Sequence, residues 1–169
     1  DGSYSHDAIV NRVNAELANS FGNLAQRSLS MVFKNLHGVI PPAGEGAEDR
    51  ALLAAVRDGC AGLAREFDRF AFSTGLEAWM AAVFACNAYV DAQAPWALKK
   101  TDPERMAAVL GTLVAAVRLL AEAVAPVIPA SASRIIAMID SGDRGTPIAQ
   151  PTPLFPRLEL GEGEGEGEG

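Results

Sequence analysis

From Val10 to Val32 the chain repeats apolar residues at three- and four-residue spacing: Val10, Val13, Leu17, Phe21, Leu24 and the Met31/Val32 pair, with Ser28 filling the gap after Leu24. The opposite side repeats polar residues in the same register: Arg12, Glu16, Asn19, Asn23, Gln26/Arg27, Ser30 and Lys34. Two stripes in step over many turns predict one continuous amphipathic helix over about 7–36. Gly22 falls in its middle, where it costs about 1 kcal/mol relative to alanine. Such a glycine fits where another helix or a ligand approaches the backbone closely. His37-Gly38 and then Pro41-Pro42 end the helix.

The same periodicity carries through most of the remaining chain. A second helix is predicted over about 49–71, burying Leu53, Val56, Cys60, Leu63, Phe67 and Phe70, with Arg57, Arg65 and Arg69 left in solvent. A third opens at Thr74, where Thr74-x-x-Glu77 has capping-box spacing, and must stop before Pro95. Its inner stripe is Leu76, Met80, Val83, Asn87 and Val90, in which the amide of Asn87 needs partners if buried. A fourth opens at Thr101-Asp102-Pro103-Glu104, with Thr101 and Glu104 read as a second box, and runs towards Pro126. A fifth covers about 130–139 with Ile135, Ile136 and Ile139. Beyond Ser141 the chain is rich in glycine and proline, and 152–159 reads as an extended strap anchored by Leu154 and Phe155. The expected fold is an all-α bundle of five helices with an extended C-terminal strap, occupying residues 1–160. Residues 161–169 are a strict Gly-Glu repeat, a disordered tail by composition.

Composition bounds the function. With 49% hydrophobic and 21% charged residues the chain suits one globular domain. Its net charge is −7, but four of the acids lie in the tail, so the body carries only −3. A net acidic body argues against indiscriminate nucleic-acid binding and leaves room for a local basic patch. Cys60 and Cys86 each fall on an apolar stripe, as free thiols do in a reducing cytosol. His6 and His37 have no ligand-spaced partner, so no metal site is expected. The longest apolar run, Met106–Ile128, is broken by Arg118 and Glu122, and no signal peptide is visible, so a cytoplasmic protein with no membrane partner is expected. The chain starts at Asp1 without a methionine, which reads as a domain taken from a longer protein. No nucleophile–His–acid set or glycine-rich phosphate loop is present, so no catalytic residue is expected here.

What remains is recognition. Asn23 and Arg27 are four residues apart and share a helical face. Two solvated side chains would look the same as a reading head in which a donor–acceptor amide and a fork of N–H groups hold a base edge. Trp96 follows Pro95 and precedes Lys99 and Lys100. It suits either a cap on the core or a stacking platform with cations beside it for phosphates. Residues 95–118 hold four bases against two acids, and residues 8–34 three against one, so these are the two locally positive windows. Trp79, inside the third helix, reads as packing.

Two motifs together resemble one family. The run Asn11-Arg-Val-Asn-Ala-Glu-Leu-Ala-Asn-Ser-Phe-Gly-Asn-Leu-Ala-Gln-Arg27 is similar to the first helix of the anticodon-binding domain of the methionyl-tRNA synthetases. The run Asn87-Ala-Tyr-Val-Asp-Ala-Gln-Ala-Pro-Trp-Ala-Leu-Lys-Lys100 is similar to the segment in which that domain presents its tryptophan. Ala125-Pro-Val-Ile-Pro129 and Leu154-Phe-Pro-Arg157 resemble the family's last helix junction and end. The resemblance implies a helical bundle of the class I synthetase type that reads the CAU anticodon of the tRNA for methionine. It assigns Asn23 and Arg27 to the first anticodon base and Trp96 to stacking, with Pro95 holding it. Asn87 and Asp91 fall at polar positions around the same loop, Asp91 repelling the wrong RNA. Lys99 and Lys100 are expected to neutralise phosphates. The signatures His-Ile-Gly-His and Lys-Met-Ser-Lys-Ser are absent, which implies that ATP, methionine and any zinc belong to a catalytic domain of the same polypeptide outside these residues. This chain alone is then expected neither to activate methionine nor to charge tRNA, and to hold no cofactor. Two other readings make different demands. A helical protein-interaction module without RNA binding requires a buried Trp96, and the equivalent domain of another class I synthetase requires a different anticodon.

Overall fold

Residues 20–68, 72–142 and 146–151 are described in a computed structural model, with Ala8, Asn11 and Ala15 ahead of them; the side chains of residues 67, 68, 72 and 73 are outside the description. Among the described residues the chain is helical and carries no strand. The helices are α1 (Gly22–Asn35), α2 (Ala47–Asp68), α3 (Phe72–Gln93), α4 (Pro95–Thr101), α5 (Pro103–Val124) and α6 (Pro129–Asp140). Five are the predicted helices of the bundle. Ala8, Asn11 and Ala15 are helical as well, and Ser20 and Phe21 form a wider π-type turn just before Gly22. Of the predicted first stripe, Val10, Val13 and Leu17 lie outside the described residues, as do Arg12, Glu16 and Asn19. The same holds for Arg69 and Phe70, for the strap anchors Leu154 and Phe155, and for the Gly-Glu tail.

α5 is the centre of the bundle. It packs against all five other helices. Met106, Val109, Leu110, Leu113, Val117, Leu120 and Val124 are buried along it, with Thr112 and Ala116 between them. By length and apolarity α5 could cross a bilayer, yet most of that stretch is covered by its own protein, as in the core helix of a bundle. α2 and α3 lie against each other closely enough to need glycine. A Cβ at Gly59 would stand 2.7 Å from the carbonyl oxygen of Ala78 and 2.8 Å from the Cβ of Ala82. The Pro41-Pro42 loop crosses α5 the same way, and a Cβ at Gly111 would lie 2.7 Å from the Pro41 carbonyl oxygen.

Trp79 is buried at 1% exposure. Its indole N–H donates to the Leu120 carbonyl at 3.0 Å. Phe21 meets its ring edge-on, with centroids 5.1 Å apart. Both predicted thiols are free, Cys86 buried and Cys60 partly so. Burial, aided by the charge of Glu122, pushes the Cys60 thiol up to about 11. Burial and the proximity of Cys60 push Cys86 to about 12.

Two details differ from the sequence-based expectation. Thr101 does not open the fourth long helix: it is the last residue of α4, its hydroxyl donating back to the Ala97 carbonyl at 3.3 Å. Asp102 is the cap instead, its carboxylate accepting the Arg105 backbone N–H at 3.1 Å. The α3 helix starts at Phe72, so Thr74 lies inside its first turn rather than ahead of it.

A buried polar cluster locks the loop and three helices together. Asp49, in the first turn of α2, is fully buried. Its carboxylate accepts the Gly46 backbone N–H at 3.1 Å, closing the α2 N-terminus. It takes both terminal nitrogens of Arg105 from α5, at 2.8 and 3.0 Å. It also accepts the hydroxyl of Tyr89 from α3. Alongside, Thr112 accepts the Gly44 N–H at 2.8 Å. Burial pushes the Asp49 carboxyl up, but the bonds from Arg105, Tyr89 and Gly46 and the charge of Arg105 outweigh it, and its pKa sits below the ordinary 3.8.

That balance gives a test. A carboxyl with a lowered folded-state pKa contributes stability that is complete above its ordinary value and lost as the pH falls through the folded value. Asp49→Asn keeps the shape and removes the charge, leaving Arg105 unpaired. It should lower the stability to urea at pH 7 by about 3 kcal/mol. The wild type and the variant should converge as the pH is lowered below about 4. A gap that stays constant down to acid pH would overturn this account.

Candidate nucleic-acid interface

The π-type turn and α1 set the orientation of the first polar pair. Phe21, Leu24, Ala25, Ser28 and Leu29 face the core. Ser28 satisfies its buried hydroxyl on the Leu24 carbonyl at 2.7 Å. With that stripe inside, Asn23 and Arg27 are turned outward and exposed. Gly22 is buried at the same turn, a bare backbone where α1 meets the bundle.

The second half of the site is made by the corner between α3 and α4. Pro95 cannot continue α3, because it has no N–H and its ring collides with the preceding turn. The chain turns at Ala94, whose φ of 47° and ψ of 62° are left-handed, an arrangement alanine adopts at a cost of about 1–2 kcal/mol. The Ala94 N–H still bonds to Val90 and the Ala94 carbonyl already accepts Ala97, both at 2.9 Å. Pro95 starts α4 with its ring buried. Trp96, next along, is thrown outward and is 54% exposed. A tryptophan so exposed does not cap the core. The sequence pattern had placed a plain loop here; a seven-residue helix takes its place.

These two halves meet. The guanidinium carbon of Arg27 lies over the Trp96 ring, 5.2 Å from its centroid. Asn23, one turn back on α1, shares the face of Arg27. Lys99 and Lys100 are exposed in the last turn of α4. Asp91 is exposed on the last turns of α3, and Asn87, a turn earlier, is partly buried. The predicted residues thus fall on α1, the end of α3 and α4, with Arg27 and Trp96 brought into contact across the gap.

The wider positive window is smaller than its count of bases. Arg105 spends its charge on Asp49. Arg118 pairs with Asp140 and stands 3.9 Å from Glu122. Lys99 and Lys100 carry what remains of it at the surface, on the same short helix as Trp96. One signal for Arg105 was present in the sequence. It falls in the first turn of α5, where the helix dipole disfavours a cation, so an acidic partner was needed. No group of three His, Cys, Asp or Glu side chains among the described residues could hold a metal ion.

Residues 40–163 match the family described as the anticodon binding domain of methionyl tRNA ligase. The chain belongs to that family. The match takes in Asn87–Lys100 and begins after Asn23 and Arg27. The chain is 43% identical to the methionine–tRNA ligase of Mesorhizobium japonicum, covering 93% of this chain and 34% of the relative. It is 40% identical to that of Mycobacterium tuberculosis, covering 94% and 34%. A solved structure of M. tuberculosis methionyl-tRNA synthetase in complex with methionyl-adenylate superposes with a TM-score of 0.77 at 37% identity, over 89% of this chain and 33% of that one. The anticodon-binding domain therefore spans about a third of the length of these relatives.

The contact between α1 and α4 can be tested directly. An exposed cation–π contact contributes about 0.5–1 kcal/mol. Arg27→Ala should thus leave thermal stability nearly unchanged while making the Trp96 emission more sensitive to iodide. Unchanged quenching would mean that Arg27 does not cover the ring in solution.

Proposed function

We propose that this domain reads the CAU anticodon of the tRNA for methionine, as part of a methionine–tRNA ligase. The observation that carries the reading is the Arg27 guanidinium lying over an exposed Trp96 from a helix some seventy residues away in sequence. In this mechanism the loop bases are splayed out. The first base, C34, offers two acceptors and an amine on its edge. The Arg27 fork donates to the acceptors, and Asn23, able to donate and accept, completes the edge. Trp96 stacks a base on the part of its ring that Arg27 leaves open, and Pro95 holds the indole there. Lys99 and Lys100 neutralise backbone phosphates. Asn87 borders the same loop, and Asp91 repels RNA whose acceptors point at it.

The activity belongs to the longer protein. ATP, methionine and any zinc bind in a catalytic portion outside these residues, and that portion and the tRNA are the partners of this domain. The enzyme works in the cytoplasm. Contacts at the two ends of one tRNA reinforce each other, so the anticodon contact need not be tight by itself.

The reading is tested by titrating the protein with an anticodon stem-loop carrying CAU and one with a changed first base. The CAU loop should bind more tightly, and Arg27→Ala should weaken it by about 1–3 kcal/mol, the range of a bidentate base contact. Lys99→Ala should weaken both loops by less, and reduce the dependence on salt by about 0.7 in log–log slope per phosphate lost. Equal affinity of the wild type for the two loops would overturn the proposal.

A further inference from the structure

The buried cluster has an arm that reaches the recognition corner. Arg105 holds Asp49 with both terminal nitrogens, and the Nη2 that bonds Asp49 at 3.0 Å also donates to the Gln93 side-chain oxygen at 2.9 Å. Gln93 is the last residue of α3, next to the left-handed Ala94 and three residues ahead of Trp96. The same guanidinium is fixed through both terminal nitrogens by a fully buried carboxylate that caps α2. The strained corner is thereby tied at the side-chain level to α5 and, through Asp49, to α2.

We propose that Arg105 is a positioning residue for anticodon reading: through Gln93 it fixes the α3–α4 corner and so the orientation of Trp96. This rests on the anticodon reading above and adds to it a residue that touches no RNA. A left-handed alanine stores strain that the chain can release by opening the turn, and a single backbone bond on each side of Ala94 does not fix the direction of the indole. The fork geometry of Arg105 suits the task, because a guanidinium held by two nitrogens cannot rotate and its remaining N–H is aimed. If the corner adopted the competent orientation only a tenth of the time, the apparent affinity would fall tenfold.

The test uses the full chain labelled with 5-fluorotryptophan, whose two tryptophans give two fluorine resonances, assigned with Trp96→Phe. Gln93→Leu removes the link while leaving the pair of Arg105 with Asp49 in place. It should shift or broaden the Trp96 resonance, leave that of Trp79 in position, and weaken binding of the CAU stem-loop roughly tenfold. Gln93→Glu keeps the acceptor and should restore the Trp96 resonance. Tyr89→Phe takes a different bond from the same cluster and should lower the melting temperature without moving Trp96. A Trp96 resonance unmoved in Gln93→Leu would overturn the inference, as would an equal displacement in Tyr89→Phe. A wild-type protein that fails to distinguish the two stem-loops sinks the anticodon reading instead, since the fluorine result does not depend on RNA.

Discussion

A single carboxylate, that of Asp49, organises the parts of this domain that its apolar stripes leave undetermined. Periodic burial brings helices together but is non-directional, so sliding by part of a turn changes it little. A charge removed from water is different. It must be met by donors in defined places, and an unmet one is expensive. Asp49, on α2, is met by the Gly46 N–H of the loop just ahead of that helix, by a hydroxyl from α3 and by the guanidinium of α5. These four chain segments can satisfy it in one mutual arrangement. Thr112 and the glycine contact at Gly111 then seat the 41–46 loop on α5 beside it.

The proposed recognition face depends on that frame without belonging to it. Its side chains, Asn23, Arg27, Trp96, Lys99 and Lys100, are exposed, and each stands on a backbone whose inward side is buried. Phe21 and Leu24 orient α1, and Pro95 orients α4. A single-stranded loop bound by such a surface meets side chains whose starting directions are already restricted, which lowers the ordering cost of association. The contact of the Arg27 guanidinium with the Trp96 ring acts in the same sense, since each restricts the rotamers of the other.

How far the sequence could be read follows from what kind of interaction decides each feature. The five longer helices were legible because burial imprints a 3.6-residue period on runs of 12 to 22 consecutive residues. Trp79 was legible as packing because it lies within that period. Trp96 was not decided by the same means: a core cap and a platform have the same local sequence, and tertiary exposure separates them. The short α4 was missed because seven residues carry fewer than two periods, and Pro95 reads equally as the end of one helix and the first residue of another. Thr101 lost the cap to Asp102 for a related reason: two adjacent cap-forming residues leave the choice to whether the preceding turn is itself helical. The cluster around Asp49 was invisible to periodicity altogether. Asp49, Tyr89 and Arg105 are far apart in sequence, and only the first-turn position of Arg105 hints at an acidic partner, without saying which.

Charge shows most clearly why counting residues along the chain overstates a patch. Of four bases in residues 95–118, two are held by Asp49, Asp140 and Glu122, and their field beyond a few ångströms is that of a dipole rather than a cation. With a body charge of −3, such a domain lacks the broad positive field that draws nucleic acid in from a distance. Selectivity at its surface then has to come from short-range contacts, a stacked ring and aimed donors, which fall off within one base and discriminate geometry. That division of labour suits the proposed function, since the chain spans about a third of the length of its relatives: in a ligase of that length attraction can be supplied by other parts, and a weakly attractive reader would reject wrong RNAs more sharply than a strongly basic one.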